Sequence, residues 1–278
     1  MDSELKITTC LAANTEPVGR AVADYLADRL QVSVRFIDDI SWQERERGLD
    51  QGQIHVGWIC GLLYVWKCMQ AGRSKLGMYA ARPYRPVELL AAPVMCGKRY
   101  ENQPVYFSDV IVRRESSFHS FDDLRGAALA YNESRSYSGY AVLCYHLATH
   151  GYTKGYFGKA IESGAHLNSL QMVLKGEADT TAIDSTILDC ELESNPALRS
   201  QLRVVAVLGP SPIPPWVIFG ALPDGLRHDL RGLLLEMDRD ALGRQILWEG
   251  QLNRFTSVGD ADYDPIRAVA QNTKNMSL

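Results

Sequence analysis

Two short stretches carry the side chains best suited to chemistry. Residues 134–141 read SRSYSGYA, and residues 162–169 read ESGAHLNS. The first places Ser136, Tyr137, Ser138 and Gly139 where a strand, AALAY, gives way to a helix. The first N–H groups of a helix lack intrahelical partners, and its macrodipole is positive there. Hydroxyls beside such N–H groups can bind an oxyanion without a full cation. The same residues also suit an ordinary N-cap, with Ser136 or Ser138 capping the helix. The second stretch puts His166 at the start of another helix; taken alone, it reads more simply as a surface or capping histidine. Two such helix starts in one half of the chain favour an anion site.

Other candidates weigh less. His146 and His150 stand i, i+4 in YHLATH, a spacing that can hold a metal, but no HExxH pattern accompanies them and no metal is expected. Ser138 does not sit in a GxSxG elbow, and no catalytic residue is assigned. Arg113 and Arg114 read as solvated charges at a strand end rather than as anion ligands. Glu115, Asp122 and Asp123 read as helix-start acids. Trp216, after the proline pair in IPPW, either walls a ligand site or packs inside its own domain.

The elements that must position these residues alternate. LKITTCLAA, SVRFID, QIHVGWIC and ELLAAPVM read as strands, and NTEPVGRAVADYLADRL and GLLYVWKCMQAG as helices between them. A second round runs through AALAYNES, YSGYAVLCYHLATHG, KAIESG, HLNSLQMVLKGEA and DTTAIDS, and the last third reads as helical. This alternation is the mark of an α/β fold with a largely parallel sheet. Extended crossings at about 104–112 and 203–218 join the rounds, predicting two lobes: 1–106 with 208–278, and 107–207. A cleft between lobes is a favoured ligand site.

Composition excludes several classes. The chain has 278 residues, 46% hydrophobic and 22% charged, an ordinary globular balance. A net charge of −4 argues against bulk nucleic-acid binding. No apolar run approaches the roughly 18 residues of a membrane helix. MDSELKITTC lacks the features of a signal peptide. The expected location is therefore cytoplasmic if Met1 is the native start, and periplasmic or membrane-surface if a leader has been removed. The six cysteines form no CxxC pair and are expected to be reduced.

Taken together, YFSDVIVRRESSFHSFDDLRG, SYSG, SGAHLNSLQMVLKGEADTTAIDS, LRVVAVLGPSPIPPWVI and, earlier, GQIHVGWICGLLYV resemble one family. It is the PhnD-like phosphonate/phosphate substrate-binding proteins of ABC transporters, with the two-lobed type II binding-protein fold. The resemblance spans most of the chain. It implies that Ser136, Tyr137 and Ser138 stand where hydroxyls bind the phosphonyl oxygens, and that Gly139 lets the ligand approach the backbone. It implies that His166 contacts the ligand, that Asp184 lies near the pocket, and that Trp58 and Tyr106 are aromatic cleft positions on the lobe-one side. Tyr137 departs from the family's small hydroxyl and adds bulk. Cys60 also stands where a small or aromatic pocket residue is expected. Asp184 suits either a protonated or ammonium-bearing ligand or, more simply, the cap of the next helix. The implied protein is a monomeric, non-enzymatic receptor without a cofactor. It takes a small oxyanion and has an ABC permease as partner. The alternatives are an enzyme on the same fold, with His166 and Asp184 as its acid–base pair, or a cytosolic metabolite sensor.

Overall fold

The structure, a computed structural model, describes residues 4–71, 87–152, 155–273, 276 and 278. In chain order it runs β1 (Glu4–Thr9), α1 (Glu16–Leu30), β2 (Ser33–Ile37), α2 (Trp42–Asp50), β3 (Val56–Trp58), α3 (Gly61–Ala71), β4 (Val87–Met95) and β5 (Val105–Arg113). Then come β6 (Ala128–Tyr131), a π turn (Tyr137–Ala141) leading directly into α4 (Val142–Thr149), β7 (Lys159–Glu162), α5 (His166–Lys175), β8 (Thr180–Asp184) and α6 (Ser185–Ser194). The chain closes with α7 (Leu198–Gln201), β9 (Leu202–Pro212), β10 (Trp216–Phe219), α8 (Asp224–Leu235), α9 (Ala241–Glu249), β11 (Leu252–Thr256) and α10 (Asp264–Asn272).

The chain divides into two compact units, one of 1–105 with 212–264 and one of 106–211 with 265–278. The first holds a six-stranded sheet in the order β11-β4-β10-β3-β1-β2. Its β1 pairs parallel with β2 and β3, while β10 and β11 run antiparallel to their neighbours. Fully buried Ile7, Leu26, Leu49, Val56, Val94 and Val217 belong to its core. Helix α1 buries Val22, Ala23 and Leu26, which recur at helical spacing, and Pro17 suits its first turn. Helix α2 starts with a capping box, Ser41 and Glu44 each satisfying the other's backbone N–H.

The second unit holds a five-stranded sheet, β7-β6-β8-β5-β9. Strands β7, β6 and β8 are parallel neighbours, and β5 is antiparallel to β8. The alternation expected from the sequence is present, but both sheets are mixed rather than largely parallel. The strands that bring the chain back between units enter antiparallel. LNRFT, read as part of a helical third, is β11 and completes the edge of the first sheet. The last stretch, 265–278, groups with the second unit, whereas the expected boundary carried it with the first; the chain thus changes unit three times.

All six cysteines are free thiols. Burial raises the Cys10 thiol to about 12, so it stays protonated and unreactive at neutral pH. No helix among the described residues is long and apolar enough to cross a membrane.

Candidate functional site

Strands β6, β7 and β8 end side by side, and each feeds the start of a helix. In an open sheet, the carboxyl ends of parallel strands are where ligands bind. Here three helix starts, those of the π turn, α5 and α6, bring positive dipole ends to one edge of the second unit; Ser136 and Asp184 cap the first and third, and the start of α5 has no side-chain cap.

The π turn forms because the Ala141 N–H reaches back five residues to the Ser136 carbonyl, at 3.0 Å. Ser136 is its N-cap, accepting from the Gly139 N–H at 3.1 Å. Ser138 Oγ lies 3.1 Å from His166 Nε2, joining the turn to the start of α5. Ser108 on β5 donates to the Ser138 carbonyl at 2.6 Å and holds the turn onto the sheet. Ser136, Ser138 and His166 are all buried. The loops beside them are tied together as well, since Gly164 N–H donates to the Asn132 carbonyl at 2.8 Å.

Gly139 has a structural reason different from the expected one. A Cβ there would lie 2.0 Å from Asn132 Oδ1 and 3.0 Å from His166 Cε1. The space a side chain would fill is taken by an amide and an imidazole. Both of these groups carry a buried polar atom with no hydrogen-bond partner among the described residues, His166 Nδ1 and Asn132 Oδ1. The two residues are only 6% and 8% exposed. Unpartnered buried polar atoms are rare and costly, which makes this pair beside one glycine the candidate contact for a ligand.

Tyr137 does not present a free hydroxyl here. Its buried ring meets Tyr106 at a centroid distance of 6.3 Å, and its hydroxyl accepts from Ser211 Oγ at 3.2 Å. Tyr106 itself belongs to the second unit, not to the lobe-one side, because the chain changes unit between 105 and 106. Asp184 caps α6, accepting from the Thr186 N–H at 2.9 Å and the Thr186 hydroxyl at 2.8 Å. It also stands opposite Ser108 in the β5–β8 register, one strand from the turn. Trp58 lies in the first unit, stacked on Trp216 at 5.8 Å with its Nε1 donating to the Pro214 carbonyl at 3.0 Å. Trp216 is therefore packed inside its own unit.

The remaining candidates have structural roles. Arg113 donates to the Val173 and Ala178 carbonyls at 2.8 and 3.2 Å, closing the end of α5, and Arg114 donates to the Arg199 carbonyl. Asp123 accepts from the His119 and Ser120 N–H groups. His150 Nδ1 sits 2.8 Å from the His146 carbonyl, and among the described residues no cluster of three metal-ligating side chains forms. Asn132 and Ser108 join the site without having stood among its sequence candidates. Ser108 had a signal, because in a strand it shares a face with Tyr106, two residues earlier. Asn132 had none beyond its place in the loop after β6.

Burial dominates the electrostatics. It lowers the His166 imidazole to about 4, so the ring is neutral at pH 7. It raises the Asp184 carboxyl to about 6, against the opposing hydrogen bonds from Thr186 and with a further push from the Asp109 charge. The signs oppose each other. From pH 4 to 6.5 the unfolded chain protonates His166 and the folded one does not, so that contribution to stability grows as pH rises and is lost toward pH 4. From about pH 4 to 6 the folded chain keeps the Asp184 proton and the unfolded one does not, so that contribution falls as pH rises. Each is worth about 3 kcal/mol across its window. Relative to the wild type, His166→Gln should lose stability from pH 4.5 to 6, and Asp184→Asn should gain it, as read from urea midpoints.

Solved structures resemble the whole chain. PhnD1 from Prochlorococcus marinus, in complex with methylphosphonate, matches with a TM-score of 0.82 and 19% identity over 99% of each chain. A binding-protein component of an ABC phosphonate transporter from Pseudomonas aeruginosa matches at 0.80 and 16%, over 98% of this chain and 86% of that one. A Xanthomonas citri protein bound to ATP matches at 0.74 and 17%, over all of both chains. At these identities the likeness is one of fold, that of the two-lobed periplasmic binding proteins. The family model described as the periplasmic phosphonate substrate-binding protein of ABC transporters matches residues 13–263. The chain belongs to the family of periplasmic phosphonate substrate-binding proteins of ABC transporters.

Proposed function

We propose that the chain captures a small phosphorus oxyanion, of phosphonate, phosphate or phosphite type, for an ABC permease, and that it works as a monomer without a cofactor. The head group sits at the π turn, held by the Ser136 and Ser138 hydroxyls, His166 and the N–H groups at the uncapped start of α5. The single observation behind this reading is the pair of buried, unpartnered atoms, His166 Nδ1 and Asn132 Oδ1, on either side of Gly139. In this reading Tyr137 is scaffold rather than ligand contact, because its hydroxyl is already engaged by Ser211. Asp184 sits at the rim, and Tyr106 backs the turn through Tyr137. Trp58 serves the first unit's own packing and any aromatic wall built on it. The family and its solved relatives are binding proteins, and the periplasm is the matching location. An acid–base pair of His166 and Asp184 is disfavoured, since the Asp184 carboxyl is held by Thr186 as the cap of α6.

Methylphosphonate, the ligand in the Prochlorococcus structure, is the first probe. Calorimetric titration should show saturable binding to the wild type. Ser138→Ala and His166→Gln should each weaken it by about 10- to 100-fold, as expected for a lost hydrogen bond to a charged group. Unchanged affinity in the double variant would remove the head group from this turn.

A further inference from the structure

The hydrogen-bond inventory of the same site sets the protonation state of its ligand, and this step rests on the function proposed above. A serine hydroxyl carries one proton to donate, and a neutral imidazole carries one. The Ser138–His166 contact at 3.1 Å consumes one of the two. Either Ser138 donates to Nε2 and Nδ1–H faces outward, or Nε2–H donates to Ser138 and the hydroxyl proton faces outward. In both arrangements the pair offers one donor at one end and only lone pairs at the other. Both ends can engage a ligand only if that ligand has acceptors and also one proton to give. Asn132 Oδ1, buried and unpartnered beside Gly139, adds a second acceptor looking for a donor. The side chains meeting there (Ser136, Ser138, Asn132, His166) bring no full positive charge. The N–H groups at the start of α5, which has no side-chain cap, supply the donors for the ionised oxygens.

We infer that the site selects an oxyanion that keeps one acidic proton, such as a phosphonate or phosphite monoanion, over a fully ionised one such as a sulfonate or sulfate, with Asn132 and the Ser138–His166 pair reading that proton. A fully ionised head group would set oxygen lone pairs against unpaired protein lone pairs in a buried place, which is strongly unfavourable. Specificity here comes from a polar group left unpaired by the wrong ligand, a mode that supports large discrimination.

The test is calorimetry on the full chain with methylphosphonate and methanesulfonate, which have the same shape and differ in the second acidic proton. The titratable or charged groups on the turn and the elements beside it are His166 on α5, Asp184 ending β8, Asp109 on β5, Glu133 and Arg135 in the loop after β6, Tyr137 and Tyr140 in the turn, and Cys144 on α4; burial raises Tyr140 and Cys144, which stay protonated in the range used. His166 and Asp184 titrate at about 4 and about 6, so the range from pH 7 to 9 isolates the ligand's own second ionisation. Methylphosphonate affinity should fall by about tenfold per pH unit once that proton leaves, and methanesulfonate should bind about 100-fold more weakly at pH 7. Ser138→Ala frees the imidazole from its internal bond, and should bring the methylphosphonate-to-methanesulfonate ratio toward one. The wild-type comparison carries the test even if that variant does not fold. Equal affinity for the two compounds, or a flat methylphosphonate profile from pH 7 to 9, would overturn this inference and leave the proposed function standing. Binding of no phosphorus oxyanion at all would overturn both.

Discussion

Gly139→Ala is expected to lower oxyanion affinity by at least about 100-fold, more than the loss of either Ser138 or His166 alone. A methyl group there would lie 2.0 Å from Asn132 Oδ1, 2.9 Å from Asn132 Cγ and 3.0 Å from His166 Cε1. None of these can be cleared by the swing of a long flexible side chain. The imidazole is held by Ser138, and the loop carrying Asn132 is bonded through its carbonyl to Gly164. The substitution thus displaces both unpartnered groups at once and disturbs the cap from Ser136 to the Gly139 N–H. Overpacking of this kind also costs about 1–3 kcal/mol of stability. Calorimetric titration beside urea unfolding separates the two effects. A folded Gly139→Ala protein that keeps wild-type affinity would mean that Asn132 and His166 do not face the ligand.

Trp216→Ala should give the largest loss of stability. Trp216 is 1% exposed, stacks on Trp58 at an interplanar angle of 20°, and meets Phe255 edge to face at 6.1 Å. It lies on β10, between β3 and β4, so its ring joins neighbouring strands of the first sheet. Truncating such a ring costs about 3–5 kcal/mol. Scanning calorimetry should show a transition lowered by roughly 10 °C, at about 2–4 °C per kcal/mol. Trp216→Phe should cost far less, because the Trp216 Nε1–H is buried without a partner among the described residues and its removal breaks no hydrogen bond seen there. A loss under about 1 kcal/mol for the alanine variant would contradict the packing role and reopen that of a ligand wall.

Much of the layout of the candidate site was legible because it is local. Ser136, Ser138 and His166 stand at helix starts that hydropathy and turn residues mark, and the capping role of Asp184 follows from its place between β8 and α6. What could not be read depends on partners distant in sequence. Asn132 and Gly139 explain each other only once the loop after β6 folds over the turn. Tyr137 reads as a ligand group until Ser211, 74 residues later, claims its hydroxyl. Strand β11 was lost to its flanking helices because LNRFT is short and half polar, and becomes a strand by pairing with β4. The antiparallel entry of β5 and β10 is likewise a property of where the chain returns, which no local pattern records.

The most direct measurement is thermal unfolding of the full chain against phosphate, phosphite, methylphosphonate, 2-aminoethylphosphonate, sulfate and simple carboxylates. A ligand present at about 100 times its dissociation constant adds about 2.7 kcal/mol to the folded state. A midpoint raised by several degrees is expected with at least one phosphorus oxyanion, and the Ser138→Ala/His166→Gln double variant should lose that rise. A midpoint unmoved by every phosphorus oxyanion in the panel, at millimolar concentration, would contradict the proposed function.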